Sequence, residues 1–225
     1  SSAASDVYKR QGNMKLRRDR MRLYAVTDKS WLKPGESLAE PVEELLKAGT
    51  GLIQLRDKRA GEAELLEEAR ALKELCSRYQ ALLIVNDNPK IARMAGAAGV
   101  HVGLSDMEVE EARSYLGADF IIGCSAHNVE EALRAERAGA DYIGCGAVFG
   151  SRTKEDAGKL SLEELKEICS AVKIPAVAIG GIGRENICRL SGTGVAGAAV
   201  IRALFSAEDK YLAARELMEE VKKWS

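Results

Sequence analysis

The feature that most constrains the fold of this chain is a regular alternation of short β-rich runs with longer segments of helical spacing, which begins at Leu23. In residues 62–79, apolar residues recur every three or four positions between charged ones, a pattern typical of an amphipathic helix. The predicted strands span 22–27, 51–55, 81–85, 99–102, 119–123, 141–145, 175–179 and 195–200. The predicted helices span 38–48, 61–79, 88–96, 108–115, 128–139, 161–172, 184–191 and 207–223.

This alternation predicts a single (β/α)8 barrel, the TIM-barrel class of α/β fold. A doubly wound open sheet is the main alternative. Eight regular units, and the absence of a G-x-G-x-x-G motif after the first strand, favour the barrel. No internal linker rich in Pro, Gly or Ser divides the chain, so we predict one TIM-barrel domain over residues 14–225.

Residues 1–13 do not share the pattern of the rest of the chain. They begin with small polar residues, and they lack the apolar region of a signal peptide. We expect them to be a non-native or disordered extension, with Met14 as the natural start.

Composition and charge exclude several classes of protein. Lys plus Arg (33) nearly balances Asp plus Glu (34), so the chain has no basic excess that would indicate nucleic-acid binding. No apolar run approaches the roughly 20 residues of a membrane-spanning helix. The five scattered cysteines have no metal-ligand spacing, which favours reduced thiols in a cytoplasmic protein.

Polar residues follow the second predicted strand at the point where it ends. Gln54, Arg56 and Lys58 are spaced by two, so in an extended chain they point to the same side. Inside the mouth of a barrel, the two cations would suit phosphate oxygens. The alternative is a surface salt-bridge cluster with Asp57 and Glu62. It is disfavoured because a Gln and an Arg that point into a barrel need polar partners.

Carboxylates follow the third and fourth predicted strands. Asn86 and Asp87 close the third strand, and Asp106 comes a few residues after the fourth. Neighbouring strands lie about 4.8 Å apart, so both carboxylates can reach one ion. Magnesium typically takes one or two carboxylates together with substrate phosphate oxygens. Capping of the following helices is the alternative for each Asp.

The later loops carry groups suited to a phosphate. The segment after strand six contains Ser151, Arg152, Thr153 and Lys154, which offer hydroxyls, backbone N–H groups and cations. Gly181 follows strand seven, and Ile201 and Arg202 follow strand eight; in barrels of this type those two loops commonly bind phosphate. A plain flexible loop is the alternative for the segment after strand six.

Two histidines and a serine lie on strands four and five. Ser125 and His127 end the fifth strand, where His127 either touches a ligand or caps the next helix. His101 lies inside the fourth strand, and we expect a core histidine with satisfied hydrogen bonds.

In order and spacing, these residues resemble the thiamine phosphate synthase family along nearly all of residues 23–221. The matching pieces are Tyr24-Ala25-Val26-Thr27-Asp28, Gln54-Leu55-Arg56-Asp57-Lys58, Val85-Asn86-Asp87, Gly99-Val100-His101-Val102-Gly103, Ser125-Ala126-His127, Thr153-Lys154-Glu155-Asp156-Ala157 and Ala178-Ile179-Gly180-Gly181-Ile182. The resemblance implies a barrel enzyme that joins 4-amino-2-methyl-5-hydroxymethylpyrimidine diphosphate to a thiazole phosphate, giving thiamine phosphate and pyrophosphate.

The resemblance also implies roles for single residues. The pyrimidine diphosphate would be held by Gln54, Arg56, Lys58, Asn86, Ser125 and Lys154, of which Arg56, Lys58, Ser125 and Lys154 are the predicted catalytic residues. Mg²⁺ would be held by Asp87 and Asp106. The thiazole phosphate would be bound by Ser151, Arg152, Thr153, Gly181, Ile201 and Arg202. Where the family usually has Val-Ser, this chain has Ile201-Arg202, and Arg202 is expected to add a phosphate contact.

Two other functions compete with this interpretation. A thiazole tautomerase of the same superfamily would use a His at the position of His127, but would not need the cations and the paired carboxylates. A non-catalytic sensor of phosphate ligands would bind without turnover. The predicted partners are small-molecule substrates, with neither nucleic acid nor membrane, and a homo-oligomer is left open.

Overall fold

Eight parallel strands close into a barrel in the structure, a computed structural model that describes residues 16–103, 108–150 and 159–224. The strands are β1 Leu23–Val26, β2 Leu52–Leu55, β3 Leu82–Asn86, β4 Gly99–Val102, β5 Ile121–Ala126, β6 Tyr142–Gly146, β7 Ala176–Ile179 and β8 Gly197–Val200. Each strand pairs in parallel with the next, and β8 pairs with β1 to close the ring. The predicted (β/α)8 barrel is confirmed. Residues 1–13, the predicted extension, lie outside the described residues.

Helices connect most of the strands on the outside of the barrel. They are α1 Arg18–Met21, α2 Ala39–Lys47, α3 Glu62–Arg78, α4 Pro89–Ala95, α5 Val109–Leu116, α6 Val129–Arg137, α7 Leu162–Ala171, α8 Arg202–Phe205 and α9 Lys210–Lys222. Two 3₁₀ turns span Lys29–Trp31 and Ile187–Leu190. The predicted helices other than 184–191 are confirmed as α2 to α7 and α9. Among the described residues, no helix is both long and apolar enough to cross a membrane.

The prediction of a helix over 184–191 was wrong, since the structure has the 3₁₀ turn Ile187–Leu190 there. Asn186 explains the difference. Its Oδ1 accepts from the Gly183 N–H at 3.0 Å, and its Nδ2 donates to the Gly181 carbonyl at 2.9 Å. These bonds fold the chain into a tight turn before the 3₁₀ segment begins. Gly192, at φ +78°, then directs the chain towards β8. Too few residues remain for an α-helix.

Two apolar layers surround and fill the barrel. Alternation along β2 shows the division: Ile53 and Leu55 face the helices, whereas Leu52 belongs to the interior cluster. Gln54 has the same parity as Leu52 and therefore points into the barrel. Buried members of the interior cluster are Leu16, Met21, Tyr24, Val26, Leu52, Ile84, Ile121, Tyr142, Val177, Ala196 and Ala199.

The five cysteines form no disulfide among the described residues. Burial raises the pKa of the Cys124 thiol to about 11 and that of the Cys76 thiol to about 12. A thiol with so high a pKa is a poor nucleophile at neutral pH, so these two cysteines serve packing.

Candidate active site

The end of β2 places an amide inside the barrel and a cation just above it. Gln54 is only 5% exposed, and its Nε2 donates to the Tyr24 hydroxyl at 2.7 Å. Beyond the strands, β1 and β2 stay joined, because the Thr27 N–H donates to the Gln54 carbonyl at 2.9 Å and the Arg56 N–H donates to Thr27 Oγ1 at 2.9 Å. Arg56 therefore leaves the barrel from a fixed backbone position.

Lys58 lies at the same mouth for a different reason from the one predicted. The strand ends at Leu55, and Lys58 lies in a bend, so strand alternation does not set its direction. Its ammonium lies 3.8 Å from Asp87 Oδ2, at the end of the next strand. The alternative surface cluster is not formed among the described residues, since Asp57 pairs with Lys29 and Glu62 with Lys90.

Asp87 occupies an unusual backbone position directly after β3. Its φ is +58°, in the left-handed region that Asp tolerates better than most residues. Its N–H donates to the His101 carbonyl at 2.8 Å, and its Oδ2 accepts from Asn86 Nδ2 at 2.7 Å. The helix α4 is capped by Asn88 instead, whose side chain accepts from the Ile91 N–H at 3.0 Å. The capping alternative is therefore wrong for Asp87. The other predicted metal ligand, Asp106, lies outside the described residues.

A second carboxylate group lies behind the loop after β2. Oxygens of Asp57, Glu64 and Glu68 lie within 4.8 Å of one another. The Lys29 ammonium pairs with each of them, at 2.9, 2.9 and 2.6 Å. Partial burial opposes the charge of Lys29, but its hydrogen bonds to Glu68, Asp57 and Glu64 outweigh this and raise its pKa. A cation from the protein itself thus fills this group, which holds the loop that carries Arg56 and Lys58.

Ser125 and His127 end β5 in different environments. Ser125 Oγ lies 3.1 Å from His101 Nε2, inside the barrel. His127 lies at the start of α6, where its backbone N–H and its Nδ1 bond to Glu131 Oε2 at 2.7 and 3.0 Å. The α6 cap is the Asn128 side chain. The structure therefore brings Ser125 to the site, whereas His127 pairs with its own helix.

The loops after β6 and β7 pack directly on each other. The Val148 and Phe149 N–H groups donate to the Ile179 and Gly180 carbonyls at 3.0 Å each, which extends the strand pairing beyond the barrel. Gly181 has φ +64°, and a Cβ there would lie 2.2 Å from the Gly150 carbonyl oxygen. The missing side chain thus makes room for the neighbouring loop. Ser151, Arg152, Thr153 and Lys154 lie outside the described residues.

Arg202 follows β8 at the same mouth, and Ile201 precedes the short helix α8 as its cap residue. The Arg202 guanidinium lies over the ring of Trp31, 5.8 Å from the ring centre. Trp31 belongs to the 3₁₀ turn after β1, so this cation–π contact joins the loops of two adjacent strands. Sequence reasoning missed Trp31, because nothing in the local pattern indicates its partner.

Sequence reasoning also missed two tyrosines below the site. Tyr24 and Tyr142 are almost completely buried, and their hydroxyl oxygens lie 2.8 Å apart. Burial raises the pKa of both phenols, so they stay protonated at neutral pH. A tyrosine in a strand does not by itself indicate a functional residue. The sequence feature that could have indicated Tyr142 is Gly123 on the adjacent strand, since a glycine there leaves space for the tyrosine ring.

Together these residues form a charged rim over a polar floor. Arg56, Lys58 and Asp87 stand around the mouth, and Gln54 and Ser125 lie within it. Such a site can hold an anion at the rim while amide and hydroxyl groups orient an attached polar ring.

Comparison with known proteins agrees with this geometry. A family model described as "Thiamine monophosphate synthase" matches residues 23–204. The chain is 47% identical to a thiamine-phosphate synthase of Clostridium acetobutylicum over 202 residues, which cover 90% of this chain and 95% of that protein. It is 44% identical to a thiamine-phosphate synthase of Pyrococcus furiosus, with 91% and 96% of the two chains covered. A solved structure of the Pyrococcus furiosus thiamine phosphate pyrophosphorylase superposes with a TM-score of 0.85 at 40% identity, covering 92% of this chain and 98% of that one.

Proposed function

Since the chain belongs to the thiamine monophosphate synthase family, we propose that it condenses 4-amino-2-methyl-5-hydroxymethylpyrimidine diphosphate with a thiazole phosphate, giving thiamine phosphate and pyrophosphate. The thiazole substrate is 4-methyl-5-(2-phosphoethyl)thiazole or its carboxylate form; from the latter, the carboxylate leaves as CO2 once the new C–N bond has formed. The observation that carries the proposal is the approach of Lys58 to Asp87 at the barrel mouth where Arg56 also follows its strand, above the polar groups of Gln54 and Ser125.

The proposed reaction breaks one bond and forms another at the same carbon. The C–O bond between the pyrimidine methylene and the diphosphate breaks, and its electron pair leaves with pyrophosphate. The electron-rich aminopyrimidine stabilises the resulting methylene cation, which the thiazole nitrogen then attacks. That nitrogen is already a nucleophile, so no general base is needed. Arg56 and Lys58 neutralise the charge that grows on the leaving group, and Gln54 and Ser125 keep the ring in line with the thiazole. Lys154 adds a third cation in this proposal.

Mg²⁺ is the metal that this proposal includes, and the chemistry of Asp87 suits it. Carboxylate oxygens are hard ligands of the kind that Mg²⁺ prefers. The Asp87 carboxylate lies beside Asn86 and Lys58 at the rim, and it is not used to cap α4. Asp87 would hold the ion together with Asp106. When bound, Mg²⁺ would neutralise part of the diphosphate charge.

The thiazole phosphate site is proposed on the loops after β6, β7 and β8. Gly181, Ile201 and Arg202 would contribute from the described part of the chain, and Ser151, Arg152 and Thr153 from the loop after β6. Arg202 would bind phosphate oxygens through its guanidinium N–H groups, and its contact with the Trp31 ring would help to hold the side chain at the mouth.

The test is a product assay with purified protein, both substrates and Mg²⁺. We expect thiamine phosphate and pyrophosphate in equal amounts, and their loss on chelation. Asp87→Ala should lower kcat/KM by at least about tenfold to a hundredfold, the loss typical of changing a residue that only supports a metal ligand. The control is Glu62→Ala, an exposed carboxylate on α3 that pairs with Lys90 and should not matter.

Two results would contradict the proposal. Full activity in the presence of a chelator would show that the reaction does not need Mg²⁺, and the metal would no longer be part of the proposal. Folded protein that binds thiazole phosphate but makes no product would exclude the synthase reaction and direct the search to isomerase activity at His127.

A further inference from the structure

A chain of hydrogen-bonded side chains crosses the interior of the barrel below the candidate site. Gln54 Nε2 lies 2.7 Å from Tyr24 Oη, which lies 2.8 Å from Tyr142 Oη. Tyr142 Oη lies 3.0 Å from His101 Nδ1, and His101 Nε2 lies 3.1 Å from Ser125 Oγ. We call these five residues the interior chain. It joins two proposed substrate-binding residues, Gln54 and Ser125, that lie on β2 and β5 and are not neighbours in the sheet.

The strands are built to accommodate the interior chain. A Cβ on Gly123 would lie 2.1 Å from Tyr142 Cζ, and one on Gly144 would lie 3.2 Å from His101 Cε1. Branched apolar residues usually fill the interior of such barrels. Buried polar groups in their place add little to the stability of the folded protein. A polar chain that needs glycines on two strands therefore indicates a role beyond packing.

The interior chain has a direction, because each hydroxyl donates one hydrogen and a neutral imidazole has one donor and one acceptor. The Gln54 amide donates to Tyr24, so the buried Tyr24 hydrogen must go to Tyr142, its other hydrogen-bond partner in the described part of the chain. With His101 neutral and its hydrogen on Nε2, Tyr142 donates to His101 Nδ1, and His101 Nε2 donates to Ser125. Among the described residues, no other partner takes up the Gln54 amide oxygen or the Ser125 hydroxyl hydrogen, so the first can accept from a ligand and the second can donate to it.

We propose that the interior chain fixes opposite hydrogen-bonding roles for Gln54 and Ser125 and thereby selects a 4-aminopyrimidine over a 4-oxopyrimidine. This inference rests on the proposed function. An aminopyrimidine offers an N–H donor beside a ring-nitrogen acceptor, which complements an accepting amide and a donating hydroxyl. An oxopyrimidine offers a carbonyl acceptor beside a ring N–H donor, and it binds only if every hydrogen bond of the interior chain reverses its direction. Tyr142, in the middle of the chain, is a positioning residue for both ends.

The first test measures substrate preference. Wild type and Tyr142→Phe are compared by steady-state kinetics and calorimetric binding with the 4-amino and 4-oxo pyrimidine diphosphates. We expect the variant to lose about tenfold of the preference for the amino substrate, which is the usual size of one lost buried hydrogen bond with an unpaired partner. The KM for thiazole phosphate should not change. Tyr24→Phe breaks the interior chain one hydrogen bond earlier and should lose the preference to the same extent. It replaces Tyr142→Phe as the test if that variant does not fold.

The matched control is Tyr79→Phe. Tyr79 also loses one hydroxyl, which donates to Glu43 Oε1 at 2.9 Å, but it follows α3 on the outside of the barrel. This variant should keep the preference of the wild type. A general loss of stability would lower the fraction of active enzyme and so reduce the rate with both pyrimidines alike, whereas loss of the interior chain changes the preference between them.

The second test is a double-mutant cycle between Gln54→Ala and Ser125→Ala on binding of the amino substrate. We expect the two changes to be non-additive by about threefold or more in the wild type and additive in the Tyr142→Phe background. Two results in an active wild type would overturn this inference alone. One is that the effects of Gln54→Ala and Ser125→Ala on binding are additive in the wild type. The other is that the Tyr142→Phe variant keeps the preference for the amino substrate. A wild type that neither binds nor converts the amino substrate overturns the proposed function, and this inference with it.

Discussion

Asp57 fixes the short segment that carries the two cations of the site. Its Oδ1 accepts from the Arg59 and Ala60 N–H groups at 2.8 and 3.1 Å, and its Oδ2 pairs with Lys29 at 2.9 Å. Burial alone would raise the pKa of Asp57. The Arg59 N–H, the Lys29 ammonium and the Ala60 N–H outweigh it and hold the pKa below its ordinary value of 3.8.

This pKa predicts how stability changes in acid. Because the folded state binds the Asp57 proton more weakly than the unfolded state, the stabilisation is fully present above about pH 3.8 and is lost as pH falls through the folded pKa. Asp57→Asn should lower the free energy of unfolding by about 1–2 kcal/mol at pH 7 and by progressively less below pH 3.8. Urea unfolding at several pH values measures this. An unchanged difference at the lowest pH would contradict the assignment, and Asp19→Asn at an exposed pair with Arg17 is the control.

Single residues show where sequence reasoning reaches its limit. The spacing of Gln54 and Arg56 after a strand predicted an inward amide, and the structure places it there because strand alternation is local. The partner of Gln54 is Tyr24, 30 residues earlier on the neighbouring strand. Arg202 was likewise identified from its place after the last strand, but its contact with Trp31 depends on how the barrel closes. Contacts between strands that are distant in sequence were beyond a local pattern.

At the scale of elements, the loops after β6 and β7 form one unit that depends on Gly181. Gly181→Ala would bring a Cβ to 2.2 Å from the Gly150 carbonyl oxygen and would also strain a residue at φ +64°. We expect a loss of about 1–2 kcal/mol from the backbone strain, and a larger loss in total. Because the displaced loops carry the proposed thiazole phosphate site, kcat/KM for that substrate should fall roughly ten- to a hundredfold.

Gly192→Ala is the matched control for this prediction. Gly192 also has positive φ, +78°, but no atom lies near the added Cβ, and the residue precedes β8 at the opposite end of the barrel. It should lose only the strain energy and keep full activity. Equal loss of activity in both variants would show that the loops are not specifically involved.

The elements that sequence reasoning predicted well are those with a long regular pattern. The predicted helix 61–79 was found as Glu62–Arg78, since its apolar stripe extends over several turns. The wrong helix, 184–191, is a short segment whose fold is set by the two bonds of the Asn186 side chain to Gly183 and Gly181. The four-residue helices Arg18–Met21 and Arg202–Phe205 were missed because they are too short to show a period.

At the scale of the whole molecule, the proposed site lies at one end of the barrel, and the opposite end carries contacts that contribute to stability alone. Eightfold alternation predicted the closed sheet, and strand ends predicted the mouth. The opposite end was not predicted, because its contacts come from helix ends and turns. There Arg113 on α5 donates to the Gly117, Phe120 and Gly139 carbonyls at 3.0, 2.6 and 3.1 Å. It also pairs with Asp141 Oδ2 at 2.6 Å, and thereby ties the segments that lead into β5 and β6.

This separation predicts a variant that loses stability but not chemistry. Arg113→Met removes four hydrogen bonds. Within the described ranges, the Asp141 carboxylate then keeps one hydrogen bond, from the Ile122 N–H at 2.7 Å. We expect the free energy of unfolding to fall by about 1–3 kcal/mol, with kcat/KM unchanged at temperatures where the protein stays folded. Urea unfolding and the product assay on the same samples measure both quantities. Arg70→Met, at an exposed position on α3, should change neither of them. If kcat/KM of Arg113→Met falls in the folded protein, the two ends of the barrel are coupled, and the site depends on the amino-terminal end as well.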